Sequence, residues 1–161
     1  MERLVSHDKQ WESLISQTCS FETSKKLWNS GIRIYNSVCS YVKKGEDKYF
    51  ELNYFFPDVI LNYAYIEQRD DDDWQSYPAP MAEDLRPMLK DKIVINKHTY
   101  QLGILIHNDY ISVYYWCYSL CKNLGGEIGK HEKFCEAFAE VALRLNEAGG
   151  GNISDNSPIL V

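Results

Sequence analysis

Cys117, Cys121, His131 and Cys135 are the residues whose types and spacing could do chemistry. They form the pattern Cys117-x3-Cys121-x9-His131-x3-Cys135. On a helix, residues four apart aim at one point, and four soft ligands can hold zinc tetrahedrally. The Gly125-Gly126 turn would fold the two pairs together. Cys117, however, lies in Tyr114-Tyr115-Trp116-Cys117-Tyr118, which reads as buried strand and would aim the first pair differently. Reduced cysteine is also among the commonest core residues. No cofactor is therefore assigned, and the Cys/His quartet stands as an alternative metal site. A cysteine paired with His98, His107 or His131 could be a nucleophile, yet none lies in a glycine-flanked elbow. Gly125-Gly126-Glu127-Ile128-Gly129-Lys130 lacks P-loop spacing and the hydroxyl residue after its lysine. It reads as a turn between elements, and no catalytic residue is assigned.

The second constellation is a run of four carboxylates, Asp70, Asp71, Asp72 and Asp73, leading into Trp74, Gln75, Ser76 and Tyr77. Adjacent carboxylates repel one another, and a basic partner would relieve that repulsion. Trp74 and Tyr77 would be the desolvated anchors of such a contact. The six residues Asp70–Asp73, Trp74 and Tyr77 are thus the candidate partner-binding site. The competing reading is a solvated surface loop. A calcium loop would alternate its carboxylates around a glycine, and this run does neither.

Elements must position these groups. The chain has 161 residues, 45% of them hydrophobic, which suits one domain with a real core. Apolar spacing predicts a helix over 7–17, with Trp11, Leu14 and Ile15 on one face. It predicts a longer helix over 23–44 through Leu27, Gly31, Ile34, Tyr35, Val38, Tyr41 and Val42, with Gly31 allowing a neighbour to approach. Lys43, Lys44 and Gly45 suit its end. Residues 49–56 and 59–67 read as strands, the alternative being a buried helix interrupted at Pro57. Residues 68–80 read as the acidic loop, closed by Pro78-Ala79-Pro80, and 82–90 as a turn or two of helix disturbed by Pro87.

The β signal then sharpens. Ile93–Ile95, Leu102–Ile106 and Tyr110–Trp116 read as strands, the last two joined by His107-Asn108-Asp109 as a hairpin. Both hairpin faces are apolar, which predicts a central or helix-covered position. A helix over 130–148 carries Phe134, Phe138, Val141 and Leu145 on one stripe. The whole reads as a single α+β domain over 1–148 with N-terminal helices, a central antiparallel sheet and a C-terminal amphipathic helix. Residues 149–161 read as a loose tail.

Bulk charge narrows the partner class. Seventeen basic against twenty-three acidic residues give −6, against direct nucleic-acid binding. Twelve tyrosines and four tryptophans favour interfaces. No segment reaches the length of a membrane span, and residues 1–8 have no apolar signal core. The expected place is the cytoplasm, with the five cysteines reduced.

In this acidic, aromatic-rich character, carried by Asp70 to Tyr77 and the surrounding tyrosines and tryptophans, the chain resembles the immunity proteins that bacteria pair with polymorphic or contact-dependent toxins. The resemblance implies a non-catalytic inhibitor that binds a basic toxin domain and blocks its active site or substrate groove. The hairpin-then-helix order of residues 102–147 also resembles type III secretion chaperones, although the helical N-terminal third and the acidic run depart from them. A phage-made inhibitor of host defence would share the composition.

Overall fold

A computed structural model describes residues 16–34, 37, 39–44, 49–54 and 74–149. The predicted helix over 7–17, the second middle strand over 59–67, Asp70–Asp73 and the tail beyond 149 lie wholly or mostly outside them. Two antiparallel sheets and the helices between them make an α+β fold. The first sheet has the order β2-β1-β3, from β1 (Cys39–Lys44), β2 (Glu51–Tyr54) and β3 (Trp74–Pro78). The second has the order β4-β5-β6-β7, from β4 (Lys92–Ile95), β5 (His98–Ile106), β6 (Ile111–Cys117) and β7 (Lys122–Asn123). Helix α1 is Phe21–Asn29, α2 is Ala82–Leu85 and α3 is Phe134–Gly149.

The long helix over 23–44 is corrected to α1 followed by β1. Gly31 has φ +84°, and the N–H groups of Gly31 and Ile32 donate to the carbonyls of Trp28 and Leu27, each at 3.0 Å. That is a Schellman stop, with buried Leu27 and Ile32 both in the core beneath it. The apolar residues beyond it are rich in β-branched and aromatic types, which pack well on a pleated sheet. A Cβ on Gly31 would meet nothing within 4 Å. Its value is left-handed backbone, not the close approach its place in the stripe suggested.

The predicted loop over 68–80 is corrected in its second half. Residues Trp74–Pro78 are β3, paired with β1 from Lys44↔Trp74 to Ser40↔Pro78. The two turns after it match the sequence reading: α2 gives way to a 3₁₀ turn at Arg86–Met88, where Pro87 removes a backbone donor.

The core lies between the second sheet and α3. Ile93, Tyr100, Val113, Tyr115 and Cys117 face Phe138, Val141 and Leu145, with Leu85 and Leu89 closing one end. Tyr115 is 1% exposed, and its hydroxyl donates to the Lys90 carbonyl at 2.6 Å. The apolar face of α3 is wider than the predicted stripe. It includes Cys135, Ala137, Ala139 and Ala142, while Phe134 is 38% exposed. The helix also begins at Phe134, not Lys130. The chain before it is extended, and Ile111 and His131 exchange both backbone hydrogen bonds, at 2.7 and 2.9 Å.

The hairpin forms where the sequence places it, in register from Gln101↔Trp116 to Ile106↔Ile111. It is central in its sheet, but its tip is not covered. Ile104, Leu105 and Ile106 are 44%, 46% and 68% exposed.

Replacing Gly31 with alanine should cost about 1–2 kcal/mol, the price of a left-handed L-residue, in urea unfolding monitored by circular dichroism. A neutral result would show that the Schellman stop does not hold α1.

Candidate functional site

Polar and reactive side chains gather on one seam, where the segment before α1 meets the first turns of α3. Backbone bonds fix that segment: Thr18 bridges Met81, and the Cys19 N–H donates to the Pro80 carbonyl at 2.8 Å. The Tyr41 hydroxyl reaches across from β1 to the Cys19 carbonyl at 2.9 Å. Ser20 then caps α1, its Oγ accepting the Thr23 N–H at 3.2 Å.

A capping box would place a glutamate at the third helical position. Thr23 stands there instead, and the carboxylate comes from α3. Glu136 Oε1 accepts the Ser20 N–H at 2.6 Å, and its Oε2 accepts the Thr23 hydroxyl at 2.5 Å. One side chain thus completes the cap of a helix 113 residues away in sequence. The positive end of the α1 dipole favours that negative charge.

One helical turn further on, Glu140 joins a guanidinium and an imidazole. Its Oε1 accepts from the Arg144 guanidinium at 2.9 Å, and its Oε2 lies 2.8 Å from His131 Nε2. A carboxylate only accepts, so His131 Nε2 carries the proton in this pair. Two glycines make room for the network. A Cβ on Gly129 would collide with the Glu140 carboxylate, and one on Gly125, at φ +78°, would lie 2.7 Å from Arg144 Cδ. Thr23, Lys26, His131, Glu136, Glu140 and Arg144 border a cavity of about 250 Å³. Its histidine is oriented by a carboxylate, as in a general base, but its one hydroxyl, Thr23, is already committed to Glu136. The geometry serves structure: it ties α3 to the extended segment before it and to α1.

Beneath the seam, Cys19 and Cys135 are buried, 0% and 1% exposed. Their sulfurs and a Glu136 carboxylate oxygen lie within 4.8 Å of one another. The neighbouring Cys135 thiol, together with burial, pushes the Cys19 thiol up. The neighbouring Cys19 thiol holds Cys135 below the usual thiol range, against burial and the Glu136 charge, with nearby Lys133 acting in the same direction as Cys19.

The alternative metal quartet does not assemble. Cys117 ends β6 in the core, with Ser119 Oγ at 3.2 Å. Cys121 is exposed in a turn at φ +49°. His131 faces Glu140, and Cys135 faces Cys19. The i,i+4 spacing assumed helix in both pairs, whereas Cys117 is in a strand and His131 in extended chain. Cys19, Glu136 and Glu140 were missed as site residues. The only signal for them was Ser20-x-x-Thr23, a capping box without its acid.

Of the predicted partner-binding residues, Asp70–Asp73 lie outside the described chain. Trp74 begins β3 opposite Lys44, at the end of β1. Tyr77 is half-buried, its ring 5.8 Å from Phe21 and 5.6 Å from Phe50, centre to centre. Phe21 and Phe50 stack at 4.5 Å, and Tyr41 meets Phe21 edge-on at 5.6 Å. Part of the aromatic supply therefore holds α1 on the first sheet.

A different exposed surface stands out. Leu102, Ile104 and Ile106 continue the apolar face of β5 that packs under α3, but only Leu102 reaches the core. β4 begins opposite Gln101, and the Leu102 N–H donates to the Asp91 carbonyl at 2.8 Å. Past that point β5 has no outer neighbour among the described residues. The turn bond from the His107 N–H to the Tyr110 carbonyl sets the alternation, so the backbone groups of Ile104 and Ile106 face this open edge.

Comparison with protein-family models, curated proteins and solved structures finds no match for this chain. Among the described residues, no helix is long and apolar enough to cross a membrane.

Glu136→Ala should cost about 1–3 kcal/mol in urea unfolding, the scale of leaving two donors at the cap without their charged acceptor. Glu136→Gln should recover part of that loss. No loss on either change would leave the cap interaction without weight.

Gly129→Ala, in the half-buried segment before α3, should destabilise by about 1–3 kcal/mol, because the new methyl takes the place of the Glu140 carboxylate. In the Glu140→Ala background the same change should be nearly neutral. Equal costs in both backgrounds would refute that coupling.

Proposed function

We propose that this protein is a non-catalytic, cytoplasmic protein-binding inhibitor of the immunity type, which holds a basic toxin domain in a one-to-one complex. The observation that carries the reading is the open edge of β5, where Ile104, Leu105 and Ile106 are exposed together. Scattered exposed aliphatics need no explanation, but three in a row on a strand edge with no neighbour among the described residues mark an interaction surface or an aggregation hazard. An extended segment of a partner would pair with the backbone of Ile104 and Ile106 and cover their side chains. Asp70–Asp73, with the net charge of −6, would steer a basic partner and set its salt dependence.

The same edge favours one second reading, a secretion-chaperone-like protein that holds an extended client. An inhibitor should engage a folded partner through both the strand edge and the aspartates. A chaperone should engage an unfolded segment through the edge alone.

The test is affinity capture from the native cell, comparing wild type with two variants. One carries Asn at all four aspartates, and the other combines Ile104→Lys with Ile106→Lys. The expected result is one basic, folded partner at one-to-one stoichiometry, bound at least tenfold more weakly by each variant and more weakly at high salt. A partner lost only by the lysine variant, and captured as an unfolded segment, would replace the inhibitor with the chaperone. A partner retained by both variants would overturn both readings.

A further inference from the structure

Cys19 and Cys135 come from segments 116 positions apart, yet their sulfurs meet in the core. Core cysteines are common, and Cys39 shows the inert kind: burial pushes its thiol up to about 11. The Cys19–Cys135 pair differs in four ways. Cys135 is the second residue of α3, where the positive end of the helix dipole favours a thiolate. The Cys19 sulfur lies within 4.8 Å of it. Lys133, whose Nζ lies 3.5 Å from the Thr18 carbonyl, places a positive charge beside both sulfurs. Finally, Cys135 borders a cavity of about 350 Å³ that Ser16, Gln17, Met81, Lys133 and Phe134 also line. Cys19 does not line that cavity, so Cys135 is the member of the pair on its side.

A metal ion fits this place poorly. Glu136 would be the third donor, but its two oxygens already accept from Ser20 and Thr23. The Lys133 ammonium would sit against the cation.

We propose that Cys135 and Cys19 form a peroxide-sensitive pair, with Cys135 attacking the oxidant and Cys19 resolving the product as a disulfide. In the first step the Cys135 sulfur attacks one oxygen of hydrogen peroxide. The O–O bond breaks, Cys135 becomes a sulfenic acid, and the departing hydroxide takes a proton to leave as water. In the second step the Cys19 sulfur attacks the Cys135 sulfur. The S–O bond breaks, the S–S bond forms, and a second water carries away the Cys19 proton. Two thiols and one peroxide give one disulfide and two waters. The bond would fasten the segment before α1 to α3 at the point where Glu136 already joins them, and it closes a loop of more than a hundred residues, the case in which a cross-link constrains the unfolded chain most.

The native full-length protein is treated with one equivalent of hydrogen peroxide, then denatured, alkylated and mapped by mass spectrometry. The expected result is a Cys19–Cys135 cross-linked peptide and three remaining alkylatable thiols of the original five. In a Cys19→Ser variant, a cyclic dione should trap the sulfenic acid on Cys135. Exposed Cys121 is the internal comparison. Oxidation of Cys121 with Cys19 and Cys135 still alkylatable would overturn the proposal. Stoichiometric zinc in the untreated protein, protecting both thiols, would overturn it in favour of a metal site.

Discussion

The carboxylate of Glu136 is the point on which the arrangement of this molecule turns. A helix begins with donors that have no partner within the helix, and they must be satisfied from outside. α1 satisfies one with Ser20 and another with Glu136, which belongs to α3. The cap of the first described full helix is therefore completed only when the last helix docks. Because α1 packs against β3 of the first sheet and α3 against β6 of the second, the same contact joins the two sheets. It also brings Cys19 onto Cys135 and places Thr23 beside the Glu140 network. Local capping, tertiary docking and the buried thiol pair are consequences of one tie.

How much of this could be read in the sequence varies with whether the signal was local. The β5–β6 hairpin was legible because its alternation and turn residues lie within fifteen positions. The α2 segment was legible because Pro87 punctuates it. Residues 23–44 were misread because Leu27, Gly31 and Ile34 fall at helical spacing by coincidence. Gly31 had the chemistry of a stop and was given the role of a packing residue. The turn between β4 and β5 was hidden differently: Asn96 and Lys97 both take positive φ, and lysine is a poor advertisement for it. The start of α3 was placed four residues early because nothing local shows that His131 pairs with Ile111. Ser20-x-x-Thr23 showed that a cap lacked its acid but could not name Glu136 or Cys19, since their roles arise from partners more than a hundred residues away.

The functional reading rests on two surfaces of different kinds. The acidic run that precedes Trp74 in the sequence was visible there, although Tyr77 turned out to serve the aromatic packing of α1. The open edge of β5 was not visible, since an apolar strand reads the same whether its edge is covered or free. Here the core explains the difference: α3 covers the sheet as far as Leu102, Val113 and Tyr115, and the apolar stripe runs on past it. A strand edge offers backbone hydrogen bonds that any extended segment can use, and charge would then select among segments.

The most direct measurement is residue-resolved amide hydrogen exchange by NMR on the free protein in solution. If the edge of β5 is open, the amides of Ile104 and Ile106 should exchange fast, while those of Gly103 and Leu105, bonded to β6, are protected. Slow exchange at all four would mean that the edge is already covered, and it would contradict the account of how this protein binds.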